Sequence, residues 1–560
     1  MDSFWGFSLI GLAQAILRLS DRPLGCPLHQ SVFFFAPALL LMSDAVASPR
    51  VLMVDDDPSA LFIYKTHLVR AGYQVFCVPS VSAAKQVLET EKPETFGAIV
   101  TDYWMPGATG FDLLRHVRQI DKTLSVIIIT AEGEKEHVAL SLREGAQNFL
   151  DKPVSGPVLR EAAAKAVEST QRQRRLRATD DEAKALGDTQ RLLLGRQTSA
   201  LEGRLRLFSR PNGQAGGDFA AAYALDESHF FVMVSDVSGH DLKAAYYSAY
   251  LQGVAHGMLD RGASMEQVFR RMNALLIEEW NKGSTVELSL SACAAVIDLY
   301  RQSIHVLNCG LPIPYLSDQE GWAVTIGEAK ASPLGWFDEL PVVFNRKLDG
   351  GLLSFWSDGL EDTAQRMEVS PLALSYLLHS RRQDPEPILR EHAQDDIVSV
   401  FIELSAKPDA TRCTRFPLLA ETYAGIQAEK IDEIQAYFER SVTVALPDLD
   451  PVLFSDAVLC FREALLNALR HGCQAKPDHF AILQVAYDSK TTSLHICIQD
   501  DGNGHLFDFD THETVAADQL IAEHRGLVLV KNLASRMHLS ARGNRLTMDF
   551  PLSSVQPTST

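Results

Sequence analysis

The 560-residue chain lacks an apolar run of the roughly 20 residues that a bilayer-spanning helix needs. It has no Cys-x-x-Cys pair; its eight cysteines are scattered at 26, 77, 293, 309, 413, 460, 473 and 497. That spacing excludes a paired-thiol zinc site and a disulfide framework, and fits a reducing cytoplasm. A Gly-x-x-x-x-Gly-Lys-Ser/Thr loop is absent, which excludes the P-loop route to nucleotides. Positive charge is in deficit: 52 Lys and Arg against 71 Asp and Glu leave a net charge of −19. Such a chain repels phosphate backbones, and no helix-turn-helix signature or basic domain offsets this, so a DNA-binding regulator is excluded. There are no internal repeats.

What is present is an ordinary globular composition, 46% hydrophobic and 22% charged. Single cores stop growing near about 250–300 residues, so the length implies three or four domains. The patterning predicts a multidomain chain of α/β and α+β class. Residues 50–167 alternate short apolar runs (Val51–Val54, Ala98–Thr101, Val126–Thr130, Phe149–Leu150) with amphipathic stretches, as in a doubly wound parallel sheet. Residues 168–207 read as a polar helical connector whose arginines 172, 174, 175 and 177 form a solvated face. Residues 208–405 read as an α+β domain with helices around Ala244–Met258 and Met265–Trp280. Residues 413–552 read as a helix-rich half followed by strands at Ile482–Tyr487, Leu494–Gln499 and Leu546–Phe550. Residues 553–560 are a polar tail.

Three groups of residues carry chemistry. In the first, Asp55-Asp56-Asp57 and Asp102 each follow a strand, Thr130 ends another, and Lys152-Pro153 follows a fourth. Ligands in open α/β sheets sit beyond the carboxyl ends of the strands, so these groups converge. Clustered carboxylates need a cation between them, and oxygen ligands suit Mg²⁺. Asp102 is then a candidate nucleophile for an acyl phosphate. The segments VLMVDDDPSA, IVTDYWMPGATG, IIITAEG and FLDKPV resemble the receiver domain of two-component response regulators. The resemblance implies Asp55 and Asp56 in the acidic metal pocket, Asp102 as phosphoacceptor and metal ligand, Thr130 as switch hydroxyl, Lys152 as phosphate contact and Phe149 as switch aromatic. It also implies a cis Lys152-Pro153 bond.

In the second group, Gly216-Gly217-Asp218, Asp236-Val237-Ser238-Gly239-His240, Ser357-Asp358-Gly359 and Asp395-Asp396-Ile397 are read as four Asp-centred turns beside strands. No serine, cysteine or histidine nucleophile set accompanies them, so metal-activated water with two divalent ions is the simplest chemistry. The order resembles metal-dependent serine/threonine phosphatases of the bacterial SpoIIE type. It implies two Mn²⁺ or Mg²⁺ ions on Asp218, Asp236, Asp358 and Asp395, with the Val237 carbonyl as a further ligand and Asp396 as the lesser of its pair. Asp241 after His240 and the run Asn308-Cys309-Gly310-Leu311-Pro312 depart from the family pattern.

In the third group, Glu463 and Asn467 lie four apart on a helical pattern, and Asp500-Asp501-Gly502-Asn503-Gly504 follows a strand. An Asn can hold Mg²⁺ and a Glu one turn away can take a hydroxyl proton. Arg525-Gly526-Leu527 opens a further helix whose free N–H groups suit phosphate. This set resembles the GHKL ATPase fold, and within it the anti-sigma-factor serine kinases of the RsbW type. It implies Glu463 as general base, Asn467 as Mg²⁺ ligand, Asp500 as adenine contact, Gly502, Gly504 and Gly526 around ATP, and His505–Arg525 as a short lid.

Together the three segments resemble bifunctional response regulators of bacterial partner-switching systems. The expected chain is receiver (50–167), connector (168–207), SpoIIE-type phosphatase (208–405) and GHKL serine kinase (413–552). The resemblance implies a sensor histidine kinase upstream, an anti-anti-sigma (STAS) protein as substrate, a sigma factor as a further partner, and a homodimer joined by the connector. The alternative is a protein that sequesters its partner through an inactive kinase domain. Residues 1–49 hold two apolar runs, Phe4–Ile16 and Ser31–Met42, and are read as a disordered leader or a start codon set too early, with Met42 as the true start. A cytoplasmic location is expected, with no membrane anchor.

Overall fold

The computed structural model describes residues 48–131, 146–198, 203–213, 215–239, 242–281, 288–327, 332–348, 350–380, 382–404, 413–504 and 525–552. The leader runs, Met42 and the tail lie outside them. The chain forms two compact units, the first ending at Ala178 and the second beginning at Thr179. Among the described residues, no helix is long and apolar enough to cross a membrane.

The first unit is a doubly wound α/β domain. Its strands are β1 (Arg50–Val54), β2 (Gln74–Val78), β3 (Phe96–Asp102), β4 (Ser125–Thr130) and β5 (Asn148–Asp151), all parallel in the order β2-β1-β3-β4-β5. Side chains alternate between two cores. Leu52, Val54, Ile99, Val126 and Ile128 face one, and Val51, Met53, Val100, Ile127 and Ile129 face the other. Burial on both faces explains why these strands read as continuous apolar runs. Strand β2 is a half-exposed edge of the sheet although Val75–Val78 is also apolar.

Helices α1 (Pro58–Arg70), α2 (Val81–Glu91) and α3 (Gly110–Ile120) cover the sheet, and each start is capped locally. Asp57 accepts from Ser59 N at 2.8 Å, and Thr109 forms a capping box with Asp112. A fourth helix, α4 (Gly156–Thr198), runs for 43 residues without a break. The expected connector is therefore continuous with the last receiver helix.

The solvated reading of its arginines is corrected at Arg174. This side chain donates to Asp121 Oδ2 at 2.9 Å and to the carbonyls of Pro93, Glu94 and Phe96. Arg172, Arg175 and Arg177 are exposed.

The second unit begins with a four-layer sandwich. One sheet has the order β13-β10-β9-β8-β7, where β7 is Phe219–Ala224, β8 His229–Val237, β9 Leu290–Asp298, β10 Ser303–Cys309 and β13 Phe344–Lys347. The other has the order β12-β11-β14-β15-β6, where β6 is Leu205–Arg210, β11 Tyr315–Ser317, β12 Ala323–Thr325, β14 Leu352–Trp356 and β15 Ile397–Glu403. Val232, Val234, Ile304 and Val306 meet Leu353, Phe355, Val398 and Val400 between the sheets. Helices α5 (Leu242–Leu259) and α6 (Met265–Asn281) cover the first sheet; α7 (Asp358–Met367) and α8 (Pro371–Ser380) cover the second, followed by α9 (Glu386–His392). Strand β6 starts at Leu205, inside the expected connector.

The rest of the unit is an α/β sandwich. Its antiparallel sheet runs β16-β17-β18-β20-β19, with β16 at Arg415–Ala424, β17 at Phe480–Asp488, β18 at Ser493–Asp500, β19 at Arg536–Leu539 and β20 at Arg545–Pro551. Helices α10 (Ile431–Ala445), α11 (Pro451–Asn467) and α12 (Arg525–Leu533) pack on it through Phe438, Phe461, Leu465 and Val530. The helix-rich reading of this half is corrected at its start, which is the ten-residue strand β16.

Candidate functional site

Three constellations follow from these strand ends and helix starts. In the first unit, the register places Asp102 opposite Ile129 and Thr130 opposite Asp151, so the carboxyl ends of β1, β3, β4 and β5 share one edge. Lys152 Nζ lies 2.8 Å from Asp102 Oδ1 and 3.7 Å from Asp55 Oδ2. Oxygens of Asp55, Asp56 and Asp102 lie within 4.8 Å of one another. Asp55 Oδ2 is buried without a hydrogen-bond partner. Burial raises the Asp55 and Asp102 carboxyls above their usual range, although Lys152 pulls both down. Burial opposes the Lys152 charge in turn, but the Asp102 hydrogen bond and the Asp102 and Asp55 charges outweigh it and raise the ammonium. An acid trio with an orphaned oxygen fits a hard divalent cation. Thr130 is buried at the same edge, Phe149 is half-buried, and Lys152-Pro153 is cis.

In the sandwich, Asp218 stands just before β7 and Asp236 near the end of β8. Asp218 Oδ2 is buried with no hydrogen-bond partner. Burial raises the Asp218 carboxyl strongly, and the Asp236 charge adds to it. Burial likewise pushes Asp236 up to about 7, with Asp358 and Asp395 contributing. Asp358 is not the turn residue expected from the sequence: it is the first residue of α7, after Ser357 at the cap. It keeps solvent access at the rim, yet crowding by protein and the Asp395 charge still raise its carboxyl. Asp395 is exposed. The four acids share one field without forming a tight ligand cluster; among the described residues, only the receiver trio forms one. The Val237 carbonyl faces the glycine turn, since a Cβ on Gly217 would lie 2.7 Å from it.

Two residues that organise this site were not singled out for it from sequence. Asp396 is a strut: its carboxylate accepts from Asn212 N at 2.6 Å and Gly217 N at 2.7 Å. Ser357 is fully buried, accepts from Val398 N at 3.0 Å, and its hydroxyl pulls the raised Asp218 carboxyl part of the way down. Both sat inside motifs that sequence reading quoted for their neighbours. The Asn308 loop closes on itself through Asn308 Nδ2 to Leu311 O at 2.9 Å and Leu311 N to Asn308 Oδ1 at 3.2 Å. His240 and Asp241 lie outside the described residues.

In the last domain, Glu463 and Asn467 lie near the end of α11 and face the start of α12. A Cβ on Gly526 would sit 2.9 Å from Asn467 Nδ2 and 3.0 Å from Glu463 Oε2. Helix α11 passes directly into a π-helical turn, Ala468–Gly472, a local irregularity frequent at functional sites. That turn brings Gly472 against Asp500, whose carboxylate a Cβ there would strike. Asp500 Oδ1 also accepts from Gly502 N at 2.9 Å, and a Cβ on Gly502 would lie 2.8 Å from it. Gly504 has φ of +72° and abuts the Arg542 carbonyl. The result is a closely packed junction with no room for side chains at 472, 502 and 526, where backbone approaches Asp500, Asn467 and Glu463 directly. Gly472 was not read from the sequence, because its role needs the π turn. Residues 505–524 of the expected lid lie outside the described residues.

Comparison with known proteins agrees with this order. The response regulator receiver domain matches residues 51–164, the stage II sporulation protein E (SpoIIE) model matches 226–403, and the histidine kinase-like ATPase domain matches 425–550. The two-component response regulator ORR11 of Oryza sativa subsp. indica is 36% identical over 110 residues, 19% of this chain and 74% of that protein. ARR14 of Arabidopsis thaliana is 35% identical over 105 residues, 19% of this chain and 27% of its own length, so the chain spans about a quarter of that relative. The structure of the RsbU and RsbW domains of a Mycobacterium tuberculosis protein is similar over 63% of this chain and 94% of that one, at 19% identity and a TM-score of 0.30. The chain belongs to the response regulators, and it joins a receiver domain to a SpoIIE-type phosphatase domain and a histidine kinase-like ATPase domain.

Proposed function

We propose that this response regulator sets the phosphorylation of a serine on a small anti-anti-sigma (STAS) protein, removing phosphate through one domain and adding it through another. A sensor histidine kinase supplies the receiver, and a sigma factor lies downstream of the switched partner. The observation that carries the reading is the presence, in one chain, of a receiver domain, a SpoIIE-type phosphatase domain and a histidine kinase-like ATPase domain, the last two in one compact unit.

In the receiver, Asp102 is the nucleophile. Lys152 lies 2.8 Å from its carboxylate and offsets the incoming phosphoryl charge. Asp55, Asp56 and Asp102 hold the cation, and Thr130 senses the phosphoryl group. In the sandwich, Asp218, Asp236, Asp358, Asp395 and the Val237 carbonyl hold two divalent ions, Mn²⁺ or Mg²⁺. Such ions activate water and clamp a phosphoryl group when bound. Asp396 and Ser357 fix the turn and carboxylate that receive them.

In the ATPase domain, Glu463 takes the proton of the acceptor serine, Asn467 holds Mg²⁺, Asp500 contacts adenine, and Gly502, Gly504 and Gly526 leave room for the nucleotide. Phosphorylation of Asp102 re-packs the connector helix α4 and moves the balance from kinase to phosphatase.

The test is the intact mass of candidate STAS proteins incubated with the full chain, ATP and Mg²⁺ or Mn²⁺, with and without acetyl phosphate. A gain of one phosphate that disappears on adding acetyl phosphate is the expected outcome. Phosphatase activity alone in both receiver states defeats the switch. A second reading, partner sequestration, is favoured by the single glycine in His524-Arg525-Gly526. Glu463→Gln separates the two: under the first reading it binds the STAS protein without phosphorylating it, whereas sequestration gives no phosphate transfer in the parent chain either.

A further inference from the structure

We infer that Gln190, on helix α4, is a positioning residue for the phosphatase metal site: it holds the Gly216–Asp218 turn where Asp218 can take a divalent cation. The inference rests on the phosphatase reading above and adds a residue to it.

The Gln190 amide grips Gly216 with both ends. Its Nε2 donates to Gly216 O at 3.0 Å and its Oε1 accepts from Gly216 N at 3.4 Å. Only one orientation of the amide satisfies both bonds. Nε2 also lies 3.5 Å from Ala245 O, in the first turn of α5. Two turns earlier on α4, Glu182 Oε1 accepts from Tyr246 OH at 3.0 Å. This end of α4 therefore lies along the start of α5 and reaches past it to the metal-site turn.

The turn has few other means of being held. Gly216 and Gly217 offer no side chains, and neither position tolerates one. A Cβ on Gly216 would strike the Asp396 carboxylate, and one on Gly217 would meet the Val237 carbonyl. Beside the turn lies a small cavity lined by Gln190, Gly216, Asp218 and Asp396 together with the apolar Phe219 and Ile397. Hydrogen bonds hold its position: the Asp396 carboxylate accepts from Gly217 N and, at 3.5 Å, from Asp218 N on one side, and Gln190 grips Gly216 on the other. The residue so placed, Asp218, presents a buried Oδ2 without a hydrogen-bond partner. A small displacement of the turn moves that oxygen relative to Asp236 and weakens cation binding without touching a ligand.

The competing account is that Gln190 only docks α4, in which case its loss lowers stability and leaves metal affinity unchanged. The test uses the full chain and Mn²⁺ as probe. Mn²⁺ affinity is read by calorimetric titration and by thermal shift, and p-nitrophenyl phosphate hydrolysis is measured across Mn²⁺ concentrations. Gln190→Met keeps length and volume but loses both bonds to Gly216; Gln190→Ala is the second variant. Tyr246→Phe removes the other α4 contact and leaves Gln190 in place.

The expected result is an Mn²⁺ requirement raised about tenfold in both Gln190 variants, with kcat at saturating Mn²⁺ within about twofold of the parent and Tyr246→Phe unchanged. Tenfold corresponds to ~1.4 kcal/mol, the scale of one or two neutral hydrogen bonds. Parent-like Mn²⁺ affinity in Gln190→Met overturns the inference. So does an equal loss in Tyr246→Phe, which would assign the effect to docking. A parent chain that neither binds Mn²⁺ nor hydrolyses the ester overturns the phosphatase reading itself, and the inference with it.

Discussion

Two carboxylates buried side by side repel each other unless a cation or a shared proton stands between them. Asp218 and Asp236 are such a pair: burial raises both, the Asp236 charge adds to the rise at Asp218, and the Asp358 and Asp395 charges add to the rise at Asp236. The sign follows. An acid whose folded value is about 7 and whose unfolded value is near 3.8 destabilises the fold only when ionised. Its cost is absent below about pH 4 and grows as pH rises toward 7. Asp218→Asn should therefore melt higher than the parent in the absence of divalent metal, with a gap wider at pH 7.5 than at pH 5 by about 2 °C or more. It should also abolish the stabilisation that Mn²⁺ gives the parent. Melting curves with EDTA and with Mn²⁺ at the two pH values check both halves.

A second residue-scale expectation concerns Gly472. A Cβ there strikes the Asp500 carboxylate, so Gly472→Ala should weaken ADP binding more than tenfold, measured by titration, while far-UV circular dichroism stays unchanged. The contrast between these residues shows what was legible. Asp55, Asp102, Lys152 and Asp236 each follow or end an apolar run and Asp218 stands just before one, so composition and position announced them. Gly472, Ser357 and Asp396 act through partners tens or hundreds of residues away, and no local pattern encodes that.

At the scale of elements, legibility followed burial. Strands β1, β3 and β4 are buried on both faces and read directly as apolar runs. Strand β16 is a sheet edge with an irregular register between Pro417 and Leu419, and it passed for part of a helical region. Helix α4 was read as helical, but its anchor was not. Arg174 is one arginine among four in the sequence, yet it alone meets the buried carboxylate of Asp121.

Burial pushes Asp121 up, but hydrogen bonds from Thr123 and Arg174 outweigh it, so the carboxyl is held below its usual range. Removing Arg174 leaves a buried charge and three carbonyls short of a donor. Arg174→Ala should cost about 2–4 kcal/mol of first-unit stability in urea unfolding at pH 7. Because Asp121 has a depressed value, that difference is present above about pH 4 and shrinks as pH falls further. A variant within 0.5 kcal/mol of the parent at pH 7 would mean that Arg174 is merely a surface contact.

At the scale of the whole molecule, the phosphatase and ATPase domains are not beads on a string. Leu352, Ala373, Tyr376 and Phe401 of the phosphatase sandwich belong to the same core as Phe416, Leu418 and Tyr487 of the ATPase domain. The Tyr376 ring lies 5.2 Å from Phe416 and 5.9 Å from Tyr487. Arg382 hydrogen-bonds the Tyr487 hydroxyl and sits 4.7 Å over its ring. Gln484 Nε2 donates to Ala323 O at 2.7 Å, and Ser441 Oγ accepts from Ser370 N at 2.8 Å. A junction built from a buried aromatic cluster and satisfied polar bonds couples the unfolding of its two sides.

Calorimetry of the full chain should therefore show phosphatase and ATPase domains melting in one transition. A nucleotide bound only by the ATPase domain should raise that transition, because ligand at about 100 times its Kd adds ~2.7 kcal/mol to whatever unfolds with the site. Mn²⁺ bound only by the phosphatase domain should raise the same transition. Tyr376→Ala removes the ring at the centre of the junction, at a cost of about 3–5 kcal/mol, and should split the transition so that each ligand moves only its own half. Two independent transitions in the parent chain, each answering to one ligand, would show that the junction does not couple the domains, and a selector acting on one domain could not then reach the other through it.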